Sequence, residues 1–371
     1  MAYNYNLIAT CKLGLESVLK DELHHLGYQN LNVSNGEISF MGDDKAIARC
    51  NMWLRTAERV LVRLSSFPAA TFDTLFEEVS KIDWGEILPK DARIRIMDKC
   101  VMSQLISGRT VQSIVKKAIV DSLQKKYRIS WLPEDGVEFK INAEIIHDNA
   151  TISMDSSGDG LHKRGYRAFA GEAPLRETIA AAMIMLSNWK TDKPLYDPLC
   201  GSGTIPIEAA LIGANIAPGI NRTFAAEDWP FIDEKIWDDN FEDAKSKIKT
   251  SELIIRGSDI DEGMINLAKS NAKKAGVDKY IEFEKKAIED FVFESGKGTV
   301  ILNPPYGERL EDVESAEEIY KTMGQLFQKR ANWSYFIISP HQDFEKVFGR
   351  KANKNRKIYN GKIKCYYYSY L

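Results

Sequence analysis

One stretch constrains this chain more than any other. Gly298-Thr299-Val300-Ile301-Leu302 is an uncharged, largely apolar run that stops at Asn303-Pro304-Pro305-Tyr306. Such a run predicts a strand buried on both faces, the kind found in parallel sheets. Two prolines have no N–H for a ladder, so the chain must leave the sheet there. Open α/β sheets collect their ligands at the carboxyl ends of their strands. The four residues therefore stand where a site belongs, and they bring an amide, a rigid backbone and an aromatic ring. A planar base with an exocyclic amine needs two acceptors for its N–H groups. The Asn303 side-chain oxygen can be one. The Pro304 carbonyl can be the other, its direction set by the ring, with Pro305 stiffening the same turn. Tyr306 can stack on the base, worth roughly 1–3 kcal/mol. A plain strand-ending turn could use the same residues, so the stretch gains weight only from its neighbours.

Those neighbours lie upstream. Leu195-Tyr196-Asp197 predicts a strand, and Pro198-Leu199-Cys200-Gly201-Ser202-Gly203-Thr204 a tight loop before a helix with Pro206 in its first turn. Gly201 and Gly203 let the backbone approach a ligand. The third glycine of the dinucleotide fingerprint and the lysine of a phosphate loop are both missing. Asp197 would repel a pyrophosphate and welcome an ammonium or sulfonium. The next predicted strand ends at Asp259-Ile260-Asp261, where a carboxylate can take both hydroxyls of a ribose. Asp259 is assigned that role, with Asp261 in reserve. Arg176, Glu177 and Thr178 open a predicted helix from Leu175 to Asn188 and are candidate cofactor-side groups, though helix starts are often polar.

Composition narrows the class. A chain of 371 residues, 44% of them hydrophobic, has enough material for two or more cores. The five cysteines are far apart, without a Cys-x-x-Cys pair, so neither zinc nor a disulfide framework is expected. No metal site is read. Residues 1–25 hold no long apolar core, so no signal peptide or membrane span is expected, and a cytoplasmic location follows. The net charge is only −3, but it is divided into patches. Lys99 to Arg128 holds seven basic residues, among them Lys116, Lys117, Lys125, Lys126 and Arg128, against Asp121; Lys346 to Lys364 holds eight and no acid; Glu227 to Asp243 holds eight acids and one lysine. Basic stretches suit a phosphate backbone, although a charge run is as often a solvated helix face. His24, His25, His147 and His341 show no spacing for catalysis, and no nucleophile elbow is present.

In chain order, Tyr5–Thr10 predicts an edge-type strand, 15–26 a helix, 37–40 a strand, 43–54 a helix and 59–65 a strand. This run suggests a small ferredoxin-like α+β module over 1–64. Residues 65–156 predict a second, basic-faced α+β unit: helices at 72–80 and 108–126, a turn at Asp83-Trp84-Gly85, and strands at 93–99, 137–146 and 149–155. Ser156-Ser157-Gly158-Asp159-Gly160 is the one clear linker, placed within a connecting segment 157–167. That segment carries Lys163, Arg164 and Arg167, which could touch RNA phosphates or fold over a cofactor. The α/β domain, 168–371, has an acidic, aromatic insertion at 217–250, expected as a helical cover or, more sharply, a substrate lip. The domain ends in a hairpin about Asn360-Gly361, the strongest short hairpin signal. The four tyrosines at 366, 367, 368 and 370 are expected to pack in the sheet.

Asp197-Pro198-Leu199-Cys200-Gly201-Ser202-Gly203-Thr204 resembles the first motif of class I S-adenosylmethionine-dependent methyltransferases that act on amines, and Asn303-Pro304-Pro305-Tyr306-Gly307 resembles their fourth. Together with Leu161-His162-Lys163-Arg164-Gly165-Tyr166-Arg167 and Ala173-Pro174-Leu175-Arg176-Glu177-Thr178, the whole chain resembles the THUMP-domain RNA methyltransferases, and among them the bacterial 23S rRNA guanine-N2 enzymes. The resemblance implies a Rossmann-like sheet of seven strands, S-adenosyl-L-methionine as cofactor, and RNA (23S rRNA or an assembling large ribosomal subunit) as partner. It places 161–167 beside the cleft. Relatives carry an aspartate after the third strand for the adenine amine; here Ala287 stands in that place, with Glu289 and Asp290 shortly after. Asn-Pro-Pro-Tyr cannot distinguish one exocyclic amine from another, so a tRNA guanine-N2 enzyme, a DNA adenine-N6 enzyme and an RNA-binding assembly factor that keeps the fold are the alternatives.

Overall fold

A computed structural model describes residues 4–167, 175–250, 252–293, 296–307, 310–328 and 332–371. Two sheets of seven strands organise it. The first contains β1 (Tyr5–Cys11), β2 (Asn32–Ser34), β3 (Glu37–Gly42), β4 (Ala57–Pro68), β5 (Arg93–Val101), β6 (Glu138–Ile146) and β7 (Asn149–Asp155), in the spatial order β2-β3-β1-β4-β7-β6-β5. β1 lies between β3 and β4, not at an edge, and its register runs Leu7 against Phe40 on one side and Val62 on the other. The reason is burial: Leu7 and Ala9 are wholly covered. β4 has twelve residues. It pairs with β1 from Ala57 to Arg63 and with β7 from Leu61 to Pro68, so one strand runs through both N-terminal units and joins them into a single sheet.

Local rules set the helices around this sheet. Thr71 caps Phe72–Ser80 through its hydroxyl, and Asp43 caps Asp44–Trp53. The helix Gly108–Tyr127 buries Val111, Val115, Ala118, Ile119 and Leu123, a spacing of three and four. The expected turn at Asp83-Trp84-Gly85 is instead the start of a short helix, Trp84–Ile87, because Trp84 is buried and donates its indole N–H to the Val79 carbonyl at 2.8 Å. β5 alternates buried Ile94 and Ile96 with exposed Arg93, Arg95 and Met97, so one face of the sheet packs and the other is charged.

The second sheet contains β8 (Leu195–Asp197), β9 (Ile255–Asp259), β10 (Ile281–Lys285), β11 (Gly298–Leu302), β12 (Trp333–Ser339), β13 (Lys354–Asn360) and β14 (Ile363–Tyr370), ordered β10-β9-β8-β11-β12-β14-β13. β10, β9, β8, β11 and β12 pair in parallel; β14 runs antiparallel to both its neighbours. The chain reverses direction across the sheet between β8 and β11, the switch point at which such sheets bind ligands. Tyr367, Tyr368 and Tyr370 are buried in this sheet. The hairpin register pairs Asn360 with Ile363, which puts the turn at Gly361-Lys362, one residue later than the Asn-Gly reading; the positive φ of +63° falls on Gly361.

A polar cluster anchors the connection from the first sheet to the second, and Arg55 beside it donates to the Ile216 carbonyl of the second half at 2.8 Å. Ser156 and Ser157, in the stretch read as a linker, are fully buried. Asn51 donates to the Ser156 hydroxyl at 2.8 Å and accepts from the Ser157 hydroxyl at 2.6 Å, and Ser157 Oγ accepts the Val60 N–H at 2.8 Å. This connection is a packed joint. The 217–250 insertion braces it: Phe224, Trp229 and Trp237 are buried, Trp229 stacks on Phe139, and Asn240 donates to the Ala48 carbonyl.

Candidate functional site

The strand β11 is buried along its whole length, and the chain leaves it at Asn303. The Tyr306 hydroxyl turns back and donates to Asn303 Oδ1 at 2.8 Å. Asn360 Nδ2 donates to the same hydroxyl at 3.3 Å, and the Cys365 thiol lies 3.8 Å from it. Burial pushes the Tyr306 phenol well above its ordinary range, so it stays protonated and can donate. The Pro305 carbonyl accepts from the buried Tyr320 hydroxyl at 2.6 Å. The strand-ending stretch is therefore pinned at both ends.

The Gly-x-Gly loop stands at the end of the adjacent strand. Gly201 and Gly203 take φ of +50° and +83°. At Gly203 a Cβ would come within 2.9 Å of Ala268, whereas at Gly201 it would meet nothing within 4 Å. One glycine serves packing and backbone geometry; the other faces open space. Asp259 spans the loop, accepting the Gly201 N–H at 2.9 Å through Oδ2 and the Asp261 N–H at 3.0 Å through Oδ1. Asp261 caps the helix Glu262–Ala275 by accepting from Gly263 and Met264, while Ile260 is exposed. Asp197 is buried, and burial first, with Asp259 adding repulsion, holds its carboxyl well above the ordinary range despite a hydrogen bond from Leu199. A small cavity of about 170 Å³ beside it is lined by Asp197, Pro198, Gly257, Ser258 and Phe291, among others. Cys200 is buried behind the loop and its thiol is likewise raised by burial. A buried carboxyl beside a second acidic side chain suits a cationic ligand, and an open glycine turn gives it backbone room. The residues present fit S-adenosylmethionine.

A larger cavity of about 820 Å³ opens between the joint and the terminal hairpin. Its walls bring together Lys163, Arg167, Arg176 and Glu177 with Arg222, Asn360 and Lys362. The last three were not read as site residues. Arg222 could have been found only as one more cation in the insertion, and Asn360 was read as a turn former. Other expected residues fall elsewhere. Arg164, expected at the RNA face, is 3% exposed. It lies 3.5 Å from the buried Glu208 and donates to the Leu161 and Arg55 carbonyls, so its guanidinium is engaged within the fold at the cavity wall. Tyr166 donates to the same Glu208 at 3.2 Å. Arg176 and Thr178, expected on the cofactor side, hold Glu58 of β4 at 2.7 and 2.8 Å. Burial raises the Glu58 carboxyl, but Lys12, Thr178, Arg176 and His162 together bring it below its ordinary value. Glu177 pairs with Arg167 at 3.0 Å, and Arg167 also donates to Thr204 at 2.9 Å, which ties the connecting segment to the glycine loop.

Lys116, Lys117, Lys125 and Lys126 ride on the helix Gly108–Tyr127, away from that cavity, and Arg128 is its left-handed C-cap. Lys116 pairs with Glu134, Lys117 with Asp121 and Lys126 with Glu86. Exposed pairs of this kind are weak, so these lysines can exchange a carboxylate for a phosphate at little cost. Among the described residues no group of three or more His, Cys, Asp or Glu could hold a metal ion, and no helix is long and apolar enough to cross a membrane.

The model of the RMKL-like methyltransferase domain, UPF0020, matches residues 164–369. The chain belongs to this methyltransferase family. The RlmL ferredoxin-like domain matches 6–61 and the THUMP domain 69–155. Among the relatives of this methyltransferase is the Bacillus subtilis (strain 168) protein named "Putative RNA methyltransferase YpsC", 46% identical over 99% of this chain and 96% of its own. A crystal structure described as a predicted N6-adenine-specific DNA methylase from Listeria monocytogenes superposes with a TM-score of 0.94 at 45% identity, covering 100% of this chain and 96% of that one. A structure described as "SMU.472, a putative methyltransferase complexed with SAH" (S-adenosylhomocysteine) superposes at 0.94 with 42% identity, covering 100% of this chain and 99% of that one. S-adenosylmethionine is the cofactor of this methyltransferase.

Proposed function

We propose that this methyltransferase acts on RNA and methylates the exocyclic N2 of a guanosine, in 23S rRNA. The observation that carries the amine chemistry is the Asn303 carboxamide at the open end of a fully buried strand, one hydrogen bond from Tyr306 and two from the wall of a cavity rich in cations. The THUMP match and the RNA methyltransferase names of the Bacillus subtilis and Synechocystis relatives support RNA, against the DNA-methylase name of the Listeria monocytogenes structure.

The chain's own residues account for the chemistry. Lys163, Lys362 and Arg222 set a positive field at the cavity mouth, which favours a phosphate backbone. A target base must leave its stack to reach the strand end. Asn303 Oδ1 and the Pro304 carbonyl accept the two amine hydrogens and keep the nitrogen lone pair off the ring. Asp197, with the Gly201 to Gly203 loop, holds the cationic end of the cofactor, and Asp259 its ribose. The cofactor supplies an electrophilic methyl on a sulfonium. The amine lone pair forms the new N–C bond as the S–C bond breaks, and the surplus proton leaves to solvent, so no general base is needed. Catalysis is then mainly proximity and orientation.

The test is nucleoside mass spectrometry on digested 23S rRNA, tRNA and DNA from cells with and without this protein. Loss of N2-methylguanosine from 23S rRNA is the expected result. Loss from tRNA moves the substrate and keeps the chemistry. Loss of N6-methyladenine from DNA overturns the RNA assignment.

A further inference from the structure

Asn360 closes β13, and its backbone does not require an asparagine: the turn's positive φ falls on Gly361, and Asn360 is an ordinary paired strand residue opposite Ile363. Its side chain is nevertheless 8% exposed and aimed at the strand-ending stretch of β11. A carboxamide nitrogen carries only hydrogens, so at 3.3 Å Asn360 Nδ2 must donate to the Tyr306 oxygen. The phenol's own proton is then committed to Asn303 Oδ1, 2.8 Å away. The chain of donors runs one way, from Asn360 through Tyr306 to Asn303. A carboxamide oxygen accepts twice, so one lone pair of Asn303 stays open. Turned over, the same side chain would offer N–H groups to an amine that has only N–H groups to give, and binding would fail.

We propose that Asn360 is a positioning residue for the methyl-accepting amine: through the Tyr306 hydroxyl it holds the Asn303 carboxamide with its oxygen, not its nitrogen, offered to the substrate. This inference rests on the amine-methylating reading above. It adds a residue from the terminal hairpin, more than fifty positions downstream of Asn303, to the apparatus that orients the amine. Because Asn360 also lines the large cavity, the same side chain joins the surface that receives the substrate to the group that holds its amine.

Four variants test it: Asn360→Ala, Asn360→Asp, Tyr306→Phe and the double variant Asn360→Ala/Tyr306→Phe. Asn360→Asp matters most. It keeps the shape but accepts from the phenol, drawing the proton away from Asn303. The expected result is a fall in kcat on the order of tenfold or more for each single variant, with cofactor affinity and melting temperature unchanged. The double variant should fall no further than Tyr306→Phe alone, since both act through one hydroxyl. Additive losses, or a lower melting temperature with native kcat, overturn the proposal in favour of a hairpin-packing role. A second measurement needs no substrate. The side-chain amide resonances of Asn303, assigned by their loss in Asn303→Ala, should move in Asn360→Asp. Resonances that stay in place sink the link even if the RNA target proves to be another. Absence of methyl transfer by the native chain, with moved resonances, sinks the amine reading and leaves the hydrogen-bond chain standing.

Discussion

β11 and β5 are strands of two sheets of equal size, and they are built in opposite ways. β11 is five residues long, apolar and buried throughout, and everything it does is done at the point where it stops. β5 has nine residues that alternate from Arg93 to Met97, and it lays Arg93, Arg95 and Lys99 along an exposed face beside Glu138 and Glu144. A parallel sheet covered on both sides has only strand ends to offer, and there a few residues must carry the chemistry. A mostly antiparallel sheet with one bare face can offer a surface, which suits a long charged partner in which no single contact dominates. One half of the molecule concentrates its task in a point and the other distributes it.

The largest expected effect tests the point. Asn303→Ala should lower methyl transfer by about 10²–10³-fold, the scale of losing one preorganised hydrogen-bond partner. Cofactor affinity by calorimetry should stay as it was. Native turnover in this variant would mean that the strand end is a turn and no more. The second test goes to the contact between the halves. Glu208→Ala leaves Arg164 buried without its carboxylate and should cost about 3–5 kcal/mol in denaturant unfolding. A loss below about 1 kcal/mol would make the polar joint incidental.

The third is a pH effect. The folded Asp197 carboxyl is raised above its unfolded value. Its contribution to stability is therefore present below the unfolded value, near about 3.9, and is lost as pH rises through the folded one. At neutral pH the cofactor-free Asp197→Asn variant should melt higher than the native chain and bind the cofactor more weakly. Binding to the native chain should also release protons, read by calorimetry in buffers of different ionisation enthalpy. Equal melting temperatures would remove Asp197 from the cationic end. The smallest effect tests the positive field at the cavity mouth. Lys163→Ala should weaken RNA binding slightly and reduce its salt slope by about 1, while methyl transfer at saturating RNA is unchanged. A loss of turnover would place Lys163 in the point, not in the field.

The same contrast explains what could be read in advance. The sheet of seven strands was implied by the family resemblance, whereas helix Phe72–Ser80 follows from Thr71 as cap and an apolar stripe, and strand Gly298–Leu302 follows from its uncharged apolar run. Local chemistry decided these, so local sequence sufficed. β1 was misplaced at an edge because the two strands that flank it come later in the chain. Arg164 was misread for a related reason: a cation between Lys163 and Gly165 in a short loop looks solvated, and only the buried Glu208, 44 residues on, takes it inside. Asn360 was hidden by its own turn signal, since Asn-Gly explains itself without a partner. Long-range pairing of polar groups leaves little periodic trace, and that is where sequence reading failed.

The twelve residues of β4 have a further consequence. Two modules joined by a hinge could open and close to suit RNAs of different shape. A strand shared by both admits no hinge, and the carbonyls of Ser156 and Ser157 accept from Ala226 and Arg222 of the methyltransferase half. The molecule is then a calliper of set width. On the proposed reading, the distance from the charged face to Asn303 is then fixed before any RNA arrives, and a substrate is accepted when its own span, from grip to target base, equals that gauge.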